Sequence, residues 1–510
     1  MHIDLAVFPI LKAIGRRCVR TIISRSLPAA LALCRVCVAS PAYPAAISIR
    51  LVVVLCAAFV ATAAEAVSPP HVVVVLTDDQ DVASLASMPQ VKRLLAKDGV
   101  TFANSFVDFP LCCPSRSSLL TGLSSRTTGI DENGSGGRGG WPAFRTLEPE
   151  ALPCWLQARG YRTAWVGKYL NLYDGTTVPP CWTHWHAMAT VGYFNWTMNH
   201  NGTPVAYGQA PQAYSTDVIA RIARDVIDAE IRSGAPLFLV LAPYAPHDPA
   251  TPAPRHAWTW AFKWPAALVN KPSFNERDLS DKPTYMQPRG MFDFNRLLST
   301  VKLWQRRQET LQAVDDAVAM LVGRLGSHAA LGQTYIVYTS DNGFLQGEHR
   351  IYAAKRLVYE ESIRVPLIIR GPGVPRGEAR TQLVNNLDVA ATIVEWADAT
   401  PPWPLDGRSL VPVLATTTAP WRTGLRVVGQ SGDPILGPPL WGTFVAVRTL
   451  TAILAEHTSN DGTRRELEFY DLVRDPYQLV NRPDAPPVAG LRDLLRHLED
   501  CTGGACWVPE

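Results

Sequence analysis

The run Val72-Val73-Val74-Val75-Leu76, ending in Thr77-Asp78-Asp79-Gln80-Asp81, constrains the fold of this 510-residue chain more than any other stretch. Five successive apolar side chains, four of them β-branched, favour a strand and leave no polar face for solvent. Such a strand is stable only when covered on both faces, as in the parallel sheet of an α/β protein. Further strand-like runs at Tyr161–Val166, Pro236–Ala242, Thr334–Thr339 and Val365–Arg370 alternate with helical patterns. One helix is expected from Pro89 to Lys97, stopped by Gly99; in another, Leu311, Val314, Val318, Leu321, Val322 and Leu325 recur at helical spacing. This alternation predicts an α/β fold with a large mixed, mostly parallel central sheet sandwiched by helices.

Texture changes after about Pro401. Short strands at Arg426–Gly429 and Phe444–Leu454 precede Phe469–Gln478, which predicts a smaller C-terminal domain with an antiparallel sheet, closed by a helix near Val488–Leu498. Residues 250–300, rich in Pro, Trp and Asn, have no clear period and read as a long surface excursion. Its tryptophans, Trp258, Trp260 and Trp264, are expected to pack under that loop, with a sugar-stacking platform as the alternative.

Ahead of the first strand, the apolar run 51–64 follows Arg50 and ends in small residues, the pattern of a secretory signal with cleavage near Ala64 or Ala66. It is too short for a stable membrane span. The expected division is 1–66 as N-terminal extension and signal peptide, 67–400 as the main α/β domain and 401–510 as the C-terminal subdomain. A secreted or extracytoplasmic location follows: periplasmic, cell-surface or lysosomal, depending on the host. Residues 65–510 carry 41 basic and 44 acidic side chains, and no basic run interleaves with aromatics, so a nucleic-acid partner is excluded. Cys501 and Cys506 flank Thr-Gly-Gly-Ala and can close a small disulfide; Cys154 and Cys181 can form a second, with Cys113 then a free buried thiol.

Asp78 and Asp79 sit directly after the first strand, and Asp341 and Asn342 closely follow another. Ligand sites in open α/β sheets gather at the carboxyl ends of strands, so the two pairs can converge. Three carboxylates and an amide make an all-oxygen set suited to Ca²⁺ or, less well, Mg²⁺; each pair alone would serve equally as a helix cap or turn. Lys168 lies at another predicted strand end, His247 just past the strand Pro236–Ala242, and Lys355 in Ala354-Lys-Arg-Leu-Val-Tyr-Glu360; singly they read as solvated lysines and a loop histidine. Together they supply cations for a tetrahedral anion and an acid for a leaving oxygen. Cys112, in Leu111-Cys-Cys-Pro-Ser-Arg-Ser-Ser-Leu-Leu-Thr-Gly122, is expected just before the first turn of a helix, where free N–H groups favour negative charge. Arg116, one turn on, adds a forked cation. The bland alternative is an ordinary buried thiol.

The run Cys112-Cys-Pro-Ser-Arg116 followed by Leu-Leu-Thr-Gly122 resembles the signature of the sulfatase family. Thr77-Asp-Asp-Gln-Asp81 and Val166-Gly-Lys-Tyr-Leu-Asn171 bring it closest to the N-acetylglucosamine-6-sulfatase branch, and the resemblance runs from about His71 to the end, with gaps in residues 250–300. It implies that Cys112 is oxidised to formylglycine by a formylglycine-generating enzyme, and that Asp78, Asp79, Asp341, Asn342 and the residue at 112 hold Ca²⁺. Arg116 and Lys168 would hold the hydrated aldehyde, while Lys355 and His247 bind sulfate and one of them protonates the leaving alcohol. The implied substrate is a sulfated carbohydrate or an aryl sulfate. One departure stands out: many members carry a histidine two residues after the Gly-Lys lysine, and here that place is Leu170. Two rival readings are a phosphodiester or phosphonate hydrolase of the same superfamily and a non-catalytic extracellular binding protein.

Overall fold

The structure, a computed structural model, describes residues 69–134, 136–431 and 441–507. The signal segment expected at 51–64 and its cleavage point lie outside the described residues.

The valine run forms β1 (His71–Thr77), the middle of a ten-stranded mixed sheet. Val72, Val74 and Leu76 enter the apolar cluster on one face of the sheet, and Val73 and Val75 enter that on the other. Both faces are therefore buried, as the unbroken apolar run requires. The remaining strands are β2 (Val100–Phe106), β3 (Arg162–Gly167), β4 (His184–Thr190), β5 (Trp196–His200), β6 (Thr203–Tyr207), β7 (Leu237–Ala242), β8 (Thr334–Ser340), β9 (Leu367–Arg370) and β10 (Glu378–Asn385). Their order is β10-β2-β9-β8-β1-β7-β3-β4-β5-β6. The central block β8-β1-β7-β3-β4 is parallel throughout. The helices that matter for the site are α1 (Cys112–Thr121), α2 (Ser215–Ser233), α3 (Phe294–Ser327) and α4 (Asn386–Trp396).

A second, four-stranded antiparallel sheet follows: β11 (Gly424–Ser431), β12 (Gly442–Thr449), β13 (Ala452–Ser459) and β14 (Arg465–Asp471), with α5 (Pro487–Glu499) packed on it. The fold class is that expected, with differences of detail. The single strand anticipated at Phe444–Leu454 is a hairpin, β12 and β13, turning at Leu450-Thr451. The helix anticipated around Leu311 begins at Phe294 and so takes up the end of the supposed excursion. Cys112 is the first residue of α1 rather than its flank. Disulfides join Cys154 to Cys181 and Cys501 to Cys506, leaving Cys112 and Cys113 as buried free thiols. Among the described residues, no helix is long and apolar enough to cross a membrane.

Candidate active site

Strand order assembles the site. β8, β1, β7 and β3 lie side by side and parallel, so their carboxyl ends open on one edge of the sheet. Asp341 and Asn342 leave β8, Asp78 and Asp79 leave β1, His247 lies on the loop after β7, and Lys168 follows β3. Backbone hydrogen bonds fasten these ends: the N–H of Asp341 donates to Thr77 O at 3.1 Å, that of Asp78 to Ala245 O at 3.2 Å, and that of Lys168 to Ala242 O at 2.8 Å. Gly167, at φ +121°, is required here, because a Cβ would stand 2.0 Å from the Ala242 carbonyl oxygen. Asp79 adopts a left-handed φ of 65°, a conformation Asp tolerates better than most residues, and its N–H donates to Asp341 Oδ1 at 3.0 Å.

α1 adds Cys112 and Arg116. Cys112 Sγ lies 3.5 Å from Asp78 Oδ1 and 4.0 Å from Asp79 Oδ1, and Lys355 Nζ donates to it at 2.8 Å. Arg116 donates from Nε to Asp341 Oδ2 at 2.8 Å and from Nη1 to the carbonyl oxygens of Lys168 (2.6 Å) and Tyr169 (3.3 Å). Its Nη2 is 3.6 Å from Asp78 Oδ2. Lys168 pairs with Asp78, and Lys355 with Asp79. Three carboxylates thus face three cations, the balance that lets charges persist in a buried place.

Burial and these pairs set the protonation states. Burial alone would raise the Asp78 carboxyl; Lys168, with His247, Arg116 and Lys355, outweighs it and holds Asp78 well below the usual carboxylate range. Asp341 is pushed up by burial and by Asp78, against the pull of Arg116. Burial would also discharge Lys355, but Asp79 foremost keeps its ammonium above its ordinary value. Burial lifts the Cys112 thiol to about 11, despite Lys168 and Lys355. At pH 7 only roughly one Cys112 in ten thousand would be thiolate, so the cysteine as encoded is a poor nucleophile.

His247 completes the set, with Nε2 3.6 Å from Asp79 Oδ2 and its ring stacked on Tyr244 at 4.8 Å. Nδ1 lies 2.7 Å from the carbonyl oxygen of Asp248, which assigns the proton to Nδ1 and turns Nε2 toward the carboxylates. All nine side chains singled out in the sequence, at 78, 79, 112, 116, 168, 247, 341, 342 and 355, therefore come together. The side chains of His247 (28% exposed) and Lys355 (12%) are the open ones, against 0–4% for Asp78, Arg116 and Lys168. Leu170 is packed in the apolar core beside Trp165 and Tyr169, so no second histidine stands where many sulfatases carry one.

Two neighbours escaped the sequence reading. Arg307 of α3 is fully buried beneath the Asp79 loop. It falls between Leu303 and Leu311 on the core-facing stripe, and a charged residue in that register was the available signal. Arg356, with a left-handed φ of 78°, donates from Nη1 to Gln430 Oε1 of β11 at 2.6 Å and so joins the second sheet to the site. Nothing in its local sequence distinguishes it from a surface arginine.

The donors suit a cation. Asp78, Asp79, Cys112 and His247 offer ligand atoms all within 4.8 Å of one another. Asn342 Nδ2 donates to Asp79 Oδ1 at 2.7 Å, while its buried Oδ1 has no hydrogen-bond partner. An orphaned acceptor beside two carboxylates fits a hard divalent ion. Asp341 stands apart from the quartet, engaged by Arg116 and the Asp79 amide, though each carboxylate oxygen keeps a further lone pair. Only the soft sulfur at 112 suits such an ion poorly.

Comparison with known proteins agrees with this geometry. A structure solved in complex with its substrate D-glucosamine-2-N,6-O-disulfate superposes with a TM-score of 0.69 at 24% identity, covering 85% of this chain and 98% of that one, which establishes the fold. The sulfatase family profile matches residues 70–399. The chain is 32% identical to human N-acetylglucosamine-6-sulfatase over 86% of each protein. It is 35% identical to an extracellular sulfatase Sulf-1 homologue of Caenorhabditis elegans, over 70% of this chain but only 52% of that longer protein. This chain belongs to the sulfatase family. It is an enzyme of the sulfuric ester hydrolase class.

Proposed function

We propose that the chain hydrolyses a sulfate ester on a sugar, with a 6-sulfated N-acetylglucosamine as the preferred unit, through a formylglycine made from Cys112 and with Ca²⁺ at the Asp78–Asp79–Asn342 cluster. One observation carries this reading. The residue at 112 sits at a helix N-terminus between two carboxylates and Lys355, in surroundings that keep its thiol protonated. A protonated thiol is a weak nucleophile and a soft ligand, whereas an aldehyde hydrate there would supply hard oxygen donors, a nucleophilic hydroxyl and a second hydroxyl whose ionisation expels sulfate. The bound cation would supply Lewis acidity, lowering the pKa of a coordinated hydroxyl and neutralising sulfate charge.

The chain's own groups then divide the work. Arg116 and Lys168, both buried, fix Asp341, Asp78 and the backbone that follows β3. Lys355 lies on the open side and, held charged by Asp79, binds the sulfate oxygens. His247 faces the same opening; as imidazolium it would keep Nδ1–H on the Asp248 carbonyl and pass the Nε2 proton to the leaving alkoxide. The human relative's name supports the sugar, and both relatives are sulfatases, which disfavours the phosphoester alternative. The complete set of nucleophile position, cation donors and proton donor disfavours mere binding. Peptide mass of residue 112 in active enzyme, with a panel of sulfated monosaccharides, tests the proposal: an unaltered thiol in active protein sinks the aldehyde, and cleavage of aryl sulfates alone sinks the sugar.

A further inference from the structure

An open cleft of about 430 Å³ lies outside the catalytic cluster. Ser87 and Lys92, on the chain leaving β1, line it together with Gln312 of α3 and with Thr259, Trp260 and Lys263 on the loop beyond His247. That loop is tied down. Trp260 packs edge-on against Trp304 at 5.3 Å and its backbone N–H donates to Glu309 Oε1 at 3.0 Å, while Gln305 Nε2 donates to the carbonyl oxygens of Ala261 and Lys263, each at 3.0 Å.

The two lysines of the cleft make no ion pair with any described residue, although Asp315 feels the charge of Lys92. Lys263 Nζ lies 3.8 Å from the Trp260 ring centroid, and Lys92 Nζ donates only to the Ala86 carbonyl oxygen. Among the described residues neither lysine has a carboxylate within ion-pair distance, whereas the adjacent Arg255 pairs with Asp217 and Asp316, and His256 Nε2 lies 2.7 Å from Asp316 Oδ2. On the same loop, Trp258, Phe262 and Trp264 are 80%, 99% and 64% exposed, far beyond what a loop needs for its own packing. Free cations, a fixed indole and side-chain hydroxyls and amides are the donor set for a hydroxyl-rich anion. The concave shape and the hydroxyl and amide side chains of Ser87, Thr259 and Gln312 suit a sugar better than a lipid surface. Ser87 is eight residues beyond Asp79, so the cleft begins within about 30 Å of the reacting centre, within reach of one short chain.

We propose that this cleft is a second binding site, which holds a sulfated oligosaccharide while one of its sulfated units occupies the catalytic centre. The proposal rests on the sulfated-sugar reading above, but its test reads affinity for the sugar separately from turnover. The full-length, active enzyme is compared with Trp260→Ala and with the Lys92→Gln, Lys263→Gln double variant. Two measurements are made: anisotropy of a fluorescent sulfated, hexosamine-containing hexasaccharide, and steady-state turnover of a small aryl sulfate. Both variants are expected to bind the hexasaccharide at least tenfold more weakly with aryl-sulfate kcat and KM unchanged, and the unsulfated hexasaccharide to bind wild-type enzyme at least tenfold more weakly. Hexasaccharide affinity within twofold of wild type in the lysine variant overturns the site; those surface side chains make no core contact, so misfolding of Trp260→Ala would not obscure the answer. Loss of anionic-vesicle binding, or of a concentration-dependent dimer, with sugar binding intact would reassign the patch to a membrane or to a second copy. Tight hexasaccharide binding through this cleft without hydrolysis of any sulfated sugar would instead sink the catalytic reading and leave this one standing.

Discussion

Arg307 donates from Nη2 to the backbone oxygen of Asp79 at 2.5 Å and from Nη1 to that of Pro246 at 3.1 Å. One guanidinium of α3 therefore ties the loop that carries two carboxylates to the loop that carries His247. It is also 3.4 Å from Asp81 Oδ2 and sits over the Phe344 ring at 4.2 Å.

Arg307→Met should destabilise the protein by about 3–5 kcal/mol, because Asp81 and two carbonyl oxygens lose a buried donor. Arg307→Lys should recover part of this, since a point charge cannot span both loops. Urea denaturation gives the stability, and kcat/KM should fall in the same order. Equal stability of the Met variant and wild type would refute the tie.

Cys112→Ser should bind substrate, release the alcohol once and remain sulfated, as a serine lacks the second hydroxyl needed to expel sulfate. Intact-protein mass after incubation reads the adduct. Multiple turnovers by this variant would contradict the scheme.

His247→Gln should lower kcat about 10²–10⁴-fold on alkyl sulfates, the usual worth of a positioned proton donor. Aryl sulfates with acidic leaving groups need no such proton and should lose far less. A uniform loss across leaving groups would assign His247 to binding instead.

Removing divalent ions should abolish turnover and lower the melting temperature, and Ca²⁺ at a hundredfold excess over its Kd should restore about 2.7 kcal/mol. Asn342→Ala, which deletes the orphaned acceptor, should shrink that ion-dependent shift. Identical melting curves with and without Ca²⁺ would argue against the cation.

Acid should weaken the fold through buried histidines that take no part in the chemistry, His186 of β4 foremost. Burial foremost, aided by His200 and His184, depresses His186 to about 4, and burial also lowers His71 and His200. The folded state keeps these rings neutral while the unfolded chain takes up protons near pH 6.5, so their stability is present above 6.5 and lost as pH falls toward 4. For His186 the loss is on the order of 3 kcal/mol. His186→Gln should flatten the stability profile between pH 6.5 and 4; an unchanged slope would exonerate it.

Periodicity made the central block legible: the valine run could only be a doubly covered strand, and Pro236–Ala242 and Thr334–Thr339 lie on either side of it. The outer strands β2, β4, β5, β6 and β10 passed unnoticed because their faces are mixed and their register is fixed by neighbours rather than by their own pattern. The hairpin at Leu450-Thr451 was read as one strand for the same reason: no Gly, Pro or Asn marks the turn.

The sequence by itself determined which side chains could do chemistry, since carboxylates, lysines and a cysteine at strand and helix ends are local facts. The tertiary structure alone decided that they meet, because β8, β1, β7 and β3 are neighbours in space though not in order along the chain. It alone placed Arg307 and Arg356 against the site and turned His247 and Lys355 to the open side. Those outcomes depend on packing and on burial of charge, which act between residues hundreds of positions apart; only the charge on the apolar stripe of α3 hinted at one of them.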